Sequence, residues 1–264
     1  MGVVLTVDDG IAEIVLDRPE KLNTMTPDMY RELGEAFIRV REDPDISVAL
    51  LHGAGSRAFC AGGDLSESLP KLADGQHDIS EWDAAHLKNI DLFKPVVAAV
   101  DGWCLGAGLE ILLGTDIRIA ARTAVFGLPE AGKGLVPAGG TLARLTRQIP
   151  YTRAMDLLLS SRRIDAAEAY SMGLVSSVVE PEVLLKVAWE KAVALSRQSQ
   201  QSLRVIKESV IRLGDMPLSV ALHAEAVYGQ KGFRSPDAHE GLAAFREGRS
   251  PNFCPPAQQS YQRQ

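Results

Sequence analysis

The stretch Val96-Val97-Ala98-Ala99-Val100-Asp101-Gly102-Trp103-Cys104-Leu105-Gly106-Ala107-Gly108-Leu109-Glu110 decides how this chain is read. Its first five residues are apolar throughout, as a strand buried on both faces requires. The glycines that follow break the strand and form a loop, and a short helix is expected from about Ala107 to Leu113. Small side chains at such a junction let a ligand approach backbone amides directly. The first N–H groups of the helix also lack an intrahelical partner. Two such amides converging on one oxygen would form an oxyanion hole. Twenty residues beyond Glu110, the run Val125-Phe126-Gly127-Leu128-Pro129-Glu130 closes on a second glutamate. The segment between them, Ile111 to Ala120, is too apolar for surface. Two carboxylates carried into apolar surroundings are costly unless used or paired. A general acid/base pair is therefore the first hypothesis. Neutralisation by Arg118, Arg122 or Lys133 is the plain structural alternative.

Working outward, Val3–Val7 and Ile11–Leu16 flank Asp8-Asp9-Gly10 and read as a hairpin closed by an Asp-Gly turn. Thr26-Pro27 reads as an N-cap followed by proline at the first helical position, opening a helix to about Glu42. Ile46–Leu51 is a buried strand by aliphatic density, followed by a glycine-rich stretch from Gly53 to Gly63. Ile117–Ala120 is a further strand. Strands alternating with helices imply an α/β fold with a largely parallel sheet covered on both faces. From Thr141 the chain turns almost wholly helical: Leu142–Gln148, Thr152–Leu159, Asp165–Met172, Pro181–Gln198, Ser202–Leu213, Pro217–Tyr228 and Pro236–Glu247. Only Val175–Val179 interrupts this, as an edge strand or connector. The organisation expected is an α/β core over residues 1–195 and a helical region over 196–264 that packs on the core or on a neighbouring subunit.

The chain has 264 residues, a formal net charge of −6 and a pI near 5.5. That balance argues against nucleic acid and anionic membranes as partners. No stretch reaches the roughly 20 apolar residues that span a bilayer. Met1–Asp8 lacks a basic or Arg/Ser-rich targeting character. Cys60, Cys104 and Cys254 lack metal-ligand spacing and read as reduced thiols, so a cytoplasmic location and no metal are expected. Gly53-Ala54-Gly55-Ser56-Arg57-Ala58 formally matches a dinucleotide fingerprint, but Phe59-Cys60-Ala61-Gly62-Gly63 cannot open the helix that motif needs. No G-x-S-x-G elbow exists. Cys60 reads as a small buried thiol. His77 and His86, near Trp82, read as solvated surface, with lining of a ligand pocket as the alternative. Lys231-Gly232-Phe233-Arg234 is a lead for a subunit-interface or phosphate contact, with a solvated helix end as the plain alternative.

The motifs together resemble one family. Phe59-Cys60-Ala61-Gly62-Gly63-Asp64-Leu65, Gly102 through Glu110, Phe126-Gly127-Leu128-Pro129-Glu130, and Gly139-Gly140-Thr141 with Leu145 resemble the enoyl-CoA hydratase/isomerase (crotonase) superfamily. So do Leu16-Asp17-Arg18-Pro19-Glu20-Lys21-Leu22-Asn23, Ala166–Ala169 with Gly173-Leu174-Val175, and Glu247–Phe253. Only Ser66 to Leu92 carries no recognisable motif.

The resemblance implies a spiral of ββα-type turns with a C-terminal helical region that builds trimers, often paired into hexamers. It implies an acyl-coenzyme A thioester as ligand, coenzyme A being part of the substrate, and no separate cofactor. By position, the amides of Gly63 and Ala107 would hold the thioester oxygen. Ala107 stands where many relatives carry glycine, but the amide survives that change. Lys21, Leu22, Thr24, Ala58, Ala61, Asp64 and Leu65 fall where relatives line the adenine and pantetheine channel, and Leu105 and Leu135 are carried as further substrate contacts. Both glutamates of the hydratase pattern are present. Glu110 would orient and activate water, and Glu130 would deliver or remove the α-proton of a trans-2-enoyl-CoA. Ala138, eight positions after Glu130, lacks the acidic side chain of some isomerases and the nucleophile of the aryl-CoA dehalogenases. Two alternatives stay open at this level. One is another reaction of the family on a specialised acyl-CoA, such as double-bond isomerisation or dehydration. The other is a non-catalytic binding protein of the same fold, against which the intact glutamate pair speaks.

Overall fold

The computed structural model describes residues 2–253, so Cys254 lies outside the described residues. Strands β1 (Gly2–Asp8) and β2 (Ile11–Asp17) form the expected antiparallel hairpin. Asp9 and Gly10 both take positive φ (44° and 76°), the combination a two-residue turn needs to match strand twist. Helix α1 (Pro27–Glu42) starts where its cap predicts, with Thr26 accepting from the Met29 N–H at 3.2 Å. Strand β3 is Val48–Gly53, two residues later than its aliphatic run suggests. The Ile46 N–H bonds to Asp43 O and closes a turn, while His52 and Gly53 still pair with β2.

A large sheet runs in the order β1-β2-β3-β5-β7-β10, through β5 (Val96–Val100), β7 (Ile117–Ala121) and the edge strand β10 (Ser177–Val179). From β2 to β10 every neighbour is parallel. Period-2 alternation divides its side chains between two cores. Ala49, Leu51, Val96, Ala98 and Val100 face one, with Phe37 and Leu33 of α1. Val48, Leu50, Val97 and Ala99 face the other, where α7 (Leu184–Ser196) contributes Leu184, Ala188 and Ala192.

A second sheet, of order β4-β6-β8-β9, was not legible in the sequence. Its strands β4 (Ala58–Cys60), β6 (Trp103–Leu105), β8 (Val125–Gly127) and β9 (Arg163–Asp165) have three residues each, too few to show a period. Three of them lie where loops were expected. The large-sheet strands β3, β5 and β7 are each followed by one of these short strands, so the chain winds as repeated ββ turns.

Helices α4 (Thr141–Gln148), α5 (Tyr151–Ser160) and α6 (Ala166–Ser171) then pack beside the small sheet. Helices α8 (Gln200–Leu213), α9 (Leu218–Phe233) and α10 (Pro236–Glu247) bury few of their apolar residues: Phe233 is 79% exposed and Phe245 86%. Among the described residues no helix is long and apolar enough to cross a membrane.

Candidate active site

The small sheet assembles the site because its parallel strands end side by side. β4, β6 and β8 pair in parallel, Trp103 with Val125, Cys104 with Phe126 and Leu105 with Gly127. Two or three positions beyond their C-terminal ends stand Gly63, Ala107 and Glu130. The ends of parallel strands are where open α/β sheets place ligands. Ala107 opens α3 (Ala107–Leu112), so its N–H has no intrahelical acceptor. The two glycine loops abut: a Cβ on Gly62 would sit 3.4 Å from Leu105 O and 3.9 Å from the Ala107 nitrogen. Gly106 is obligatory in two ways. Its φ is +51°, and a Cβ there would lie 2.6 Å from Glu130 Oε1.

A cavity of about 720 Å³ opens at this junction, with Gly63, Ala107, Glu110 and Glu130 all on its wall. Glu110 sits on α3 and is 6% exposed. Its Oε1 accepts the Gly139 N–H at 2.6 Å and the Thr141 hydroxyl at 3.4 Å, which fixes the carboxyl from behind. Burial pushes Glu110 up to about 7, and the negative charge of Glu130 adds to the rise, while the Gly139 and Thr141 donors oppose it. Burial also raises Glu130, with the Lys133 charge pulling the other way. Glu130 Oε2 is buried without a protein partner among the described residues. None of the three cations that could have neutralised the pair forms an ion pair with it among the described residues, and two of them are engaged elsewhere. Arg118 is buried and donates to the carbonyls of Leu113, Thr115 and Leu174, and Arg122 pairs with Glu180 at 2.6 Å. Lys133 lines the cavity and makes no ion pair within 4.0 Å among the described residues. Glu110 is thus held near neutral pH and Glu130 is raised in the same direction, and raised carboxyls are what acid/base work requires.

The opposite wall comes from residues 66–92, the stretch without a motif. It comprises α2 (Ser68–Ala73) and a 3₁₀ turn, Ile79–Trp82. Trp82 is 4% exposed and stacks on Tyr30 of α1, with ring centroids 4.1 Å apart and planes 6° off parallel. His86 is fully buried, which corrects its reading as solvated surface. Its Nδ1 lies 2.9 Å from Trp82 O and must donate, because a carbonyl only accepts. Burial holds the ring at about 4, hence neutral, and Nε2 is left without a partner. Arg144 of α4 pins the end of this segment by donating to the carbonyls of His86 and Leu87, each at 2.6 Å. His77 was also expected on the solvated surface. It lines the cavity instead and bonds Glu81 at 2.9 Å.

Of the residues carried over as substrate contacts, Thr24, Ala61, Leu65 and Leu135 line the cavity, as does Ala138. Lys21, Leu22, Ala58, Asp64 and Leu105 do not. Lys21 ends the exposed 3₁₀ turn Pro19–Lys21 and Leu22 follows it with φ +55°. The Ala58 carbonyl accepts from Asn23 Nδ2 at 2.7 Å, and Leu105 is buried in β6. The Asp64 carboxylate is occupied by Arg18 at 2.6 Å and by the Ser66 hydroxyl, also at 2.6 Å, which hold it well below the usual carboxylate range. Sequence reasoning missed Tyr30, Leu69, Leu72 and Ile79 on the wall. Tyr30 had one available signal, as an aromatic at the fourth position of a well-capped helix. The thiols of Cys60 and Cys104 are buried in the small sheet, and burial pushes Cys60 up to about 12, so neither is a nucleophile.

A family model described as "Enoyl-CoA hydratase/isomerase" matches residues 6–256. "Enoyl-CoA hydratase EchA19" of Mycobacterium tuberculosis is 43% identical over 245 residues, covering 91% of each chain. "(E)-benzylidenesuccinyl-CoA hydratase" of Thauera aromatica is 39% identical over 263 residues, covering 96% of this chain and 99% of that protein. Among solved structures, a putative enoyl-CoA hydratase/isomerase from Mycobacterium abscessus superposes with a TM-score of 0.88 at 36% identity, over 96% of this chain and 99% of that one.

Proposed function

The chain belongs to the enoyl-CoA hydratase/isomerase family and is an enzyme of the hydratase type, and from that premise we propose that Glu110 and Glu130 add water reversibly and syn across the double bond of a trans-2-enoyl-CoA. The observation that carries this reading is the buried carboxyl of Glu110 and the half-buried one of Glu130 beside two adjoining amide-bearing loops, with no cation paired to either among the described residues. The thioester oxygen would accept from the N–H groups of Gly63 and Ala107, which face the oxygen on which enolate charge develops. Glu110, its Oε1 tied to Gly139, keeps its other oxygen for a water. It takes one proton from that water as the hydroxyl oxygen bonds to C3. Glu130 transfers its proton to C2 as the enolate collapses. The pair then holds one proton and one charge as before, exchanged between the two carboxyls, and re-equilibrates through solvent. Carboxyls raised toward neutral pH give and take protons at little cost in either direction. The scheme calls on no cofactor, because coenzyme A enters as part of the substrate.

The helical region beyond residue 195 is proposed to assemble the chain as a homotrimer or a hexamer of paired trimers. The exposed apolar side chains of Ile206, Val210, Leu218, Phe233 and Phe245 support this. A cytoplasmic setting is proposed from the unpaired buried thiols.

The test follows loss of conjugated thioester absorbance with crotonyl-CoA and a ten-carbon 2-enoyl-CoA. Glu110→Gln and Glu130→Gln are each expected to lower kcat by roughly 10²-fold or more. Wild-type protein that binds both thioesters and hydrates neither would overturn the hydratase reading in favour of isomerisation or a specialised dehydration.

A further inference from the structure

One polar atom on the cavity wall has no task in the hydration scheme. Tyr30 projects from the first turn of α1, a helix start fixed by the Thr26 cap and by Pro27. Its ring is held face to face on Trp82, and His86 leans on it with centroids 5.4 Å apart. The residue is 3% exposed. Its hydroxyl lies 3.4 Å from the point a Cβ on Gly63 would occupy, beside the amide assigned to the thioester oxygen. His86 Nε2 and Glu130 Oε2 are sealed and have no partner among the described residues. The Tyr30 hydroxyl is likewise without a protein partner among the described residues, yet it opens onto the cavity. Its charged neighbours are Glu110 and Glu130, and the wall around it is apolar: Leu69, Leu72, Ile79 and Trp82.

A plain alkyl chain entering this space would strip the phenol of water and return no hydrogen bond. That penalty falls on every alkyl substrate. An acyl chain carrying an oxygen atom at this level would restore the bond. The neighbouring carboxyls would repel an anionic substituent and accept a neutral one. A site that must satisfy a buried hydroxyl discriminates more sharply than one that merely fits a methylene.

We propose that Tyr30 determines specificity, its hydroxyl donating to a neutral oxygen (ether, hydroxyl or carbonyl) carried by the acyl group near its thioester end. Oxygenated 2-enoyl-CoA thioesters are then the preferred substrates over plain alkyl ones. The proposal rests on the acyl-CoA reading above and sharpens it.

The test compares trans-2-hexenoyl-CoA with 4-methoxy-trans-2-butenoyl-CoA, an isostere with an ether oxygen in place of one methylene. Wild-type kcat/KM is expected to favour the ether by about tenfold, and Tyr30→Phe to bring the ratio close to one. A ratio that is the same in both proteins overturns the proposal. So does an equal loss on both thioesters, which would assign the phenol to the thioester oxygen. The saturated analogues, hexanoyl-CoA and 4-methoxybutanoyl-CoA, are titrated in parallel by tryptophan fluorescence, since Trp82 lies in the wall. Their Kd ratio should collapse in Tyr30→Phe in the same way, and an unchanged Kd ratio overturns the proposal without reference to turnover. Absence of hydration of either enoyl thioester would sink the hydratase reading, and the Kd ratio would still decide Tyr30.

Discussion

The two walls of the cavity are built on different principles. One wall is backbone: the ends of β4, β6 and β8, joined by parallel pairing, present two amides and the Glu130 carboxyl two or three residues beyond the last pairing. The other wall is side chain: residues 66–92 are held by the Trp82–Tyr30 stack, the burial of His86 and the grip of Arg144 on two carbonyls. The first wall tolerates almost no change in shape, because its atoms approach within the space a single Cβ would fill. The second can change its lining residues while keeping its anchors. On the proposed reading, reaction type would be set by the first wall and acyl preference by the second.

Gly106→Ala is the most direct way to break that division. The new Cβ would meet Glu130 Oε1 on a backbone at φ +51°. Displacing the carboxyl should cost roughly 10²-fold in kcat with every thioester tested. A loss confined to one acyl class would mean that the backbone wall also sets preference.

Trp82→Ala probes the other wall. Removing a buried indole should cost about 3 kcal/mol in urea denaturation, with roughly tenfold lost in kcat/KM on crotonyl-CoA, mostly through KM. If kcat on crotonyl-CoA instead fell as far as in Gly106→Ala, the two walls would not be separable.

The smallest effect is one of stability and pH. Glu110 is held at about 7 against 4.5 for an ordinary glutamate, so the folded chain keeps a proton that the unfolded chain releases between those values. Stability is therefore expected to fall as pH rises through that window, by on the order of 1 to 3 kcal/mol above it. Glu110→Gln abolishes this loss: it should be more stable than wild type at pH 8 and gain nothing at pH 4.5. Equal differences in urea midpoint at the two pH values would contradict the burial of an ionisable Glu110. The same window bears on turnover, since a base must be ionised to take a proton from water.

The difference between the walls also explains what could be read from the sequence. The Asp9-Gly10 turn, the Thr26-Pro27 helix start and the Val96–Val100 strand each carry a local signal, and all three stand where that signal puts them. The glycine loops and glutamates were legible because their chemistry is unusual for their apolar setting. The small sheet was not, since three-residue strands such as Trp103–Leu105 have no period of their own and exist through register with neighbours. His86 was misplaced for a related reason. Its burial depends on Tyr30 and Trp82, the first of them more than fifty residues upstream, and no feature of residues 66–92 announces that contact.

The ladder of β4, β6 and β8 has one last implication. Paired strands can slip only by whole residues, about 3.3 Å at a time, and each such step turns every side chain to the opposite face. The positions of Gly63, Ala107 and Glu130 are therefore set in discrete increments. A distortion that acts through the register of this ladder would move them in steps and not by degrees. A population damaged by such slips would be a mixture of competent and inert molecules, the active centre behaving as a latch and not as a dial.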